Sequence, residues 1–209
     1  MRLILASSSP RRKEILSLLG LPFEVVSPDI REIFRPGRLP VDEARHWAVE
    51  KARAVHRRYP DAVVVGSDTV IDLDGRTIGK PVDHNDAVQI LTLLAGRTHT
   101  VVTAVALVFA DGRERFAVER TGVRMRKVSK EALLRYIATG ESMDKAGAYS
   151  LQGGGRELIE SIEGDFLSAV GLPLRAAARL LSEAGIKSSE DVESVYLRRS
   201  AMNWQSYEV

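Results

Sequence analysis

Ser7-Ser8-Ser9-Pro10-Arg11-Arg12 sets three hydroxyls and two guanidiniums where an apolar run, Leu3 to Ala6, gives way to a helical pattern. Unpaired backbone N–H groups and the dipole at a helix start favour an anion there, and forked guanidiniums suit phosphate oxygens. The chemistry fits a triphosphate. The same residues also suit a plain Ser-capped helix start with two solvated arginines.

Gly66-Ser67-Asp68-Thr69 lies inside the apolar run from Val63 to Ile71. A carboxylate is costly to bury in such a strand unless it meets a cation, a metal or several donors. Asp68 can hold a divalent metal or take a proton from an attacking water; the alternative is an Asp at a strand end turned to solvent. Gly79-Lys80-Pro81 follows a tight turn at Asp74-Gly75. Hairpin register sets Leu73 against Arg76 and, counting back, Thr69 against Lys80, which brings an ammonium toward Asp68 unless a bulge intervenes.

Lys51, in Glu50-Lys51-Ala52, can aim at a phosphate or belong to the solvated face of an amphipathic helix. From Met143 to Gly153 small residues allow close backbone approach, Lys145 brings charge, and Gln152 carries the donor and acceptor that a pyrimidine edge requires. That stretch also reads as an ordinary Gly-rich turn.

These groups ride on interleaved strands and helices. Strands are expected at Leu3 to Ala6, Phe23 to Ser27, Ala62 to Asp72, Thr98 to Phe109 and Glu114 to Val128, with hairpin turns at Asp74-Gly75 and Asp111-Gly112. Helices are expected after Ser9 as far as Gly20, from Val41 to Tyr59, Asp83 to Leu94, Ser129 to Ala138 and Leu172 to Ala184. Asp29 to Pro40 reads as an exposed loop, and Gly147 to Gly155 as turns and short strands. Hairpins among βα units predict an α/β fold with a mixed, twisted sheet and flanking helices. Lys187 to Val209 is polar, with scattered Tyr196, Trp204 and Tyr207, and reads as an appendage to a unit ending at Ile186.

A chain of 209 residues with 44% hydrophobic content can bury a substantial core. Thirty Lys and Arg against 28 Asp and Glu are too balanced for a general polyanion binder, so any anion site is local. No basic stripe with aromatics and no helix-turn-helix signal points to nucleic acid. The lack of cysteine removes disulfides, thiolate ligands and cysteine nucleophiles, so a metal would need oxygen or His ligands. No stretch has the length of a signal peptide core or a membrane span, and a cytoplasmic location is the expectation.

Taken in order, LASSSPRR, EKA, GSDTV, GKP, GRTHTVVTAV, MDKAGAYSLQG and AVGLPL resemble the Maf family, over about Arg2 to Ile186. The resemblance implies a two-lobed fold with a central cleft, related to the inosine triphosphate pyrophosphatases. It also implies a homodimer in many members and a Mg²⁺, Mn²⁺ or Co²⁺ requirement. It makes Asp68 the catalytic acid, Ser7, Arg12, Lys51 and Lys80 phosphate contacts, and Asp68 with Glu32 the metal ligands. Arg31 stands where many members carry a second acid.

Arg11, Thr69 and Gln152 resemble the branch that splits dTTP and UTP to the monophosphate and pyrophosphate, with 5-methyl-UTP and pseudo-UTP as further substrates. The 7-methyl-GTP branch tends to carry Trp, Gln and Glu at those three positions. The alternative from another class is a non-enzymatic, nucleotide-sensing regulator of septum formation in cell division.

Overall fold

Leu3–Ala6 forms strand β1, four apolar residues buried on both faces, as parallel strands covered by helices require. The computed structural model describes residues 1–198 apart from Phe34 and Pro36. Ser9 caps helix α1 (Pro10–Ser17), its side chain accepting the backbone N–H of Arg12, with Pro10 in the first turn. Strand β2 (Glu24–Val26) follows. Helix α2 (Pro40–His56) buries the stripe Ala44, Ala48, Ala52 and Val55.

Strand β3 (Val63–Leu73) runs unbroken through Gly66-Ser67-Asp68 and turns at Asp74-Gly75 into β4 (Arg76–Ile78). Asp74 and Gly75 both hold positive φ, as a tight hairpin demands. Leu73 faces Arg76 as expected, but the ladder ends at the Ile71 and Ile78 pair. Lys80 is therefore not opposite Thr69 in the sheet. The Gly79 carbonyl turns instead to accept the Gly147 N–H at 2.9 Å.

Asp83 caps helix α3 (His84–Leu94), and the long strands β5 (Thr98–Val108) and β6 (Glu114–Met125) form the second hairpin. Ser129 caps α4 (Lys130–Ile137). The Gly-rich stretch winds into 3₁₀ turns at Ala146–Ala148 and Gly153–Leu158 rather than short strands, and β7 (Ile159–Glu163) pairs with β6 beyond it. Helix α5 (Phe166–Val170) has no counterpart among the helices expected from the sequence. Gly171, with φ 142°, and Pro173 separate it from α6 (Leu174–Glu183).

The sheet has the order β2-β1-β3-β5-β6-β7, with β4 also on β3. It is parallel through β2, β1 and β3 and antiparallel beyond, hence mixed. Strand β5 takes one edge of β3 from Val64 to Asp72. Strands β1 and β4 must share the other edge, β1 pairing residues 63–66 and β4 residues 71–73. Residues 67–70 are left without a strand neighbour there, and β1 points its C-terminal end at the gap.

Helix α2 covers the face bearing Val64 and Val70, while the main core lies on the face of Val63, Val65 and Ile71. That core includes Val195 and Tyr196 of helix α7 (Val192–Arg198). The start of the C-terminal segment is thus part of the packed unit. Residues 199–209, with Trp204 and Tyr207, lie outside the described residues. No helix among the described residues is long and apolar enough to cross a membrane.

Candidate active site

The open edge of β3 faces a cleft of about 560 Å³. Ser7, Arg11 and Arg12 line it from the β1–α1 turn, Asp68 and Thr69 from β3, Lys51 from α2, and Glu32 from the loop before α2. Lys80 lines it from the segment after β4, and Gln152 from the Gly-rich stretch. The nine residues to which the family resemblance gives a site role therefore all line one cavity, although they lie on segments far apart in the chain.

Strand alternation sends Asp68 and Thr69 to opposite faces of the sheet. Asp68 points toward α2, and Gly66 on that face lets the helix approach. A Cβ at Gly66 would lie 2.2 Å from the Ala48 carbonyl oxygen and 2.8 Å from the Ala52 nitrogen. With the helix this close, Lys51 Nζ reaches Asp68 Oδ1 at 2.6 Å and Glu32 Oε1 at 3.0 Å. Lys51 is 5% exposed and Asp68 4%, so the solvated-face reading of Lys51 does not hold.

Burial pushes the Asp68 carboxyl above its ordinary value. The Lys51 charge pulls it down, Glu32 pushes it up and Arg12 pulls it down again, and the balance stays upward. At the less buried Glu32, burial also acts upward, but the charges of Lys51, Lys80 and Arg12 outweigh it and hold the carboxyl below its ordinary value.

Asp68 Oδ2 is buried and has no hydrogen-bond partner. An unpartnered carboxylate oxygen in a low-dielectric site awaits a proton, a water or a cation. Among the described residues no cluster of three or more His, Cys, Asp or Glu side chains could hold a metal. Asp68 and Glu32 supply two hard oxygen donors. A divalent cation of the magnesium type fits such a pair when phosphate and water oxygens complete its six ligands.

On the opposite face, Arg12 is held by two contacts. Its Nε donates to the Gly171 carbonyl at 2.9 Å and its Nη2 to Thr69 Oγ1 at 3.3 Å. Thr103 Oγ1 lies 2.8 Å from the Ser168 carbonyl and 3.1 Å from Thr69 Oγ1. A hydroxyl has one proton, and the carbonyl can only accept, so Thr69 donates to Thr103 while accepting from Arg12. Ser67 Oγ also reaches the Gly171 carbonyl, at 2.9 Å. Ser7 Oγ accepts the Ser9 N–H at 3.1 Å, which folds the turn around the cleft.

The far wall is built around Tyr149, whose hydroxyl lies 2.7 Å from His99 Nε2. Gly147, at φ 73°, sits where a Cβ would come within 2.9 Å of Ile71 Cγ1. Lys145 bonds to the Glu141 carbonyl at 2.6 Å and pairs with Asp144.

Reading side chains one at a time misses Ser67, Thr103 and Gly171, although all three fall inside the strings GSDTV, GRTHTVVTAV and AVGLPL. Hydroxyls in a strand look like filler, and a backbone carbonyl leaves no side-chain signature.

Fold and site together define a mixed α/β protein whose sheet edge is left open, so that a buried carboxylate meets cations from distant segments in one cleft. The family model described as Maf-like protein matches residues 2–184, and the chain belongs to that family. A dTTP/UTP pyrophosphatase of Symbiobacterium thermophilum is 47% identical over 88% of this chain and 94% of its own length. One of Aquifex aeolicus is 46% identical over 89% of this chain and 97% of its own. Among solved structures, that of the Staphylococcus aureus Ham1 protein matches with a TM-score of 0.48 and 14% identity, covering 98% of this chain and 96% of that one.

Proposed function

We propose that the protein hydrolyses nucleoside triphosphates, dTTP and UTP foremost, to the monophosphate and pyrophosphate. The observation that carries this reading is the buried Asp68, with one oxygen on Lys51 and the other unpartnered, inside a cleft that also holds Arg12 and Lys80. Likeness to dTTP/UTP pyrophosphatases, at 46–47% identity over most of the chain, supports the substrate. Methylated and isomeric forms such as 5-methyl-UTP and pseudo-UTP belong to the same proposal.

In this reading the triphosphate lies against the Ser7 to Arg12 turn, with Arg12 and Lys80 on its phosphate oxygens. Asp68 Oδ2 takes a proton from water as the water oxygen bonds to the α-phosphorus. The bond from phosphorus to the bridging oxygen breaks, and its electron pair leaves with pyrophosphate. Burial raises the proton affinity of Asp68, which suits a base, and the Lys51 charge opposes that rise by favouring the carboxylate. Asp68 and Glu32 would hold a divalent cation, Mg²⁺, Mn²⁺ or Co²⁺, which supplies Lewis-acid charge to the phosphates. Arg11, Thr69 and Gln152 select the base. A homodimer in the cytoplasm, with nucleotide rather than nucleic acid or membrane as partner, completes the proposal.

The test is Asp68→Asn. It is expected to bind dTTP and to release pyrophosphate at least about a hundredfold more slowly. Turnover at the parental rate by a folded, nucleotide-binding variant would refute the assignment. Parent protein that binds dTTP with Mg²⁺ or Mn²⁺ yet releases no pyrophosphate would favour a nucleotide sensor.

A further inference from the structure

Residues 187–198 lie beyond the family match, which ends at 184, yet they grip two helices that meet at the cleft. One grip is on the C-terminal end of α1. The Ser189 N–H donates to the Leu19 carbonyl at 3.1 Å, and Ser189 Oγ donates to the Gly20 carbonyl at 2.9 Å. Both carbonyls belong to the turn that follows α1, so the two bonds tie the end of that helix to the segment. Gly20 has φ 65°, and a Cβ there would lie 2.1 Å from Ser189 Oγ, so the fit needs glycine.

The other grip is on α5. The Tyr196 hydroxyl donates to Asp165 Oδ2 at 2.7 Å, while Asp165 Oδ1 caps α5 by accepting the Ser168 N–H at 3.1 Å. The Arg175 guanidinium lies 3.5 Å over the Tyr196 ring, which holds the ring in place. One turn later α5 ends at Gly171, whose carbonyl holds Arg12 Nε. The two gripped helices are the ones joined by the Arg12 to Gly171 bond.

We propose that residues 187–198 form a clamp, and that Tyr196, acting through Asp165 and α5, is a positioning residue that sets the Arg12 guanidinium in the cleft. Its effect on catalysis rests on the reading of Arg12 as a phosphate contact; its effect on Arg12 itself does not. The hydroxyl fixes Asp165, Asp165 fixes the start of α5, and a five-residue helix transmits that position to its other end almost rigidly.

The experiment uses the full chain carrying Tyr196→Phe, which loses one oxygen and keeps the ring under Arg175. The first readout is hydrogen exchange at the Arg12 Nε–H, followed by NMR without nucleotide or metal. It is expected to quicken by about tenfold, the worth of one hydrogen bond, with the β3 amides unchanged. Unchanged exchange at Arg12, or equal quickening throughout β3, would overturn the clamp. Should Tyr196→Phe not fold, Ser189→Ala on the α1 arm takes its place: quickened exchange confined to Arg12 supports the clamp, and unchanged or uniformly quickened exchange overturns it.

The second readout is the KM for dTTP. It should rise about fivefold in Tyr196→Phe and stay unchanged when the same substitution is added to Arg12→Lys. Quickened exchange without any change in KM would leave the clamp standing and remove Arg12 from the proposed phosphate contacts.

Discussion

Gly66 on β3 stands where a methyl group would lie 2.2 Å from the carbonyl oxygen of Ala48 on α2. Backbone cannot yield at that distance as a flexible side chain would, so Gly66→Ala must push α2 off the sheet. Lys51 is on the same helix, one turn beyond Ala48, and its bonds to Asp68 and Glu32 depend on the close approach. The variant is expected to lose about 1–3 kcal/mol of stability and a larger share of its activity. Urea unfolding paired with turnover measures both; a folded variant with parental turnover would disconnect the glycine from the site.

Lys51 supplies the positive charge between two acids in a nearly dry setting. Removing one partner of a buried ion pair costs about 3–5 kcal/mol, and Lys51→Met is expected to fall in that range at pH 8. The loss should shrink as pH falls. Without Lys51 the folded-state proton affinity of Asp68 rises further above its unfolded value, so the folded chain gains protons and stability on the acid side. A stability deficit that is flat from pH 8 to pH 5 would contradict this.

The sequence marks elements where chemistry and pattern coincide. Ser9 and Pro10 announce α1, Asp74-Gly75 fixes the β3–β4 turn, and Asp111-Gly112 between two strand-forming runs gives the long hairpin. Hairpin register alone misplaces Lys80, since Gly79 leaves the ladder to bond with Gly147. Helix α5 and strand β7 are hidden because five residues are too short for periodicity to separate from a turn. The C-terminal segment reads as an appendage because Val192, Val195 and Tyr196 make only one turn of apolar stripe. Apart from Glu32, which lies in none of the seven strings, the cleft residues are legible as a set because the strings that carry them match one family. Their geometry is not, because it depends on α2 resting against Gly66 and on a carbonyl at Gly171.

His99 is buried at the far wall with Nδ1 lacking a partner, and its Nε2 meets Tyr149. Burial pushes its pKa down to about 4, from an ordinary value of 6.5. A depressed histidine pKa means that the unfolded chain binds the proton first as pH falls. Its contribution to stability is thus complete above about pH 6.5 and is lost toward pH 4, by about 3 kcal/mol. His99→Gln, which cannot titrate, should show that much less loss between pH 7 and pH 4 in urea unfolding. Equal slopes for the two proteins would mean that acid sensitivity arises elsewhere.

Arg12 uses Nε on Gly171 and Nη2 on Thr69, so the guanidinium is anchored on one flank and offers its remaining N–H groups to the cleft. A lysine keeps the charge but has no planar fork, and cannot bond the carbonyl and the hydroxyl while also meeting a phosphate. Arg12→Lys is expected to raise the KM for dTTP by about tenfold or more, since a charged hydrogen bond contributes about 1.5–3 kcal/mol. Charge alone would be nearly preserved by the substitution, whereas geometry would not. A KM within twofold of the parent would therefore show that Arg12 acts as a point charge, and its two anchors would then need another purpose.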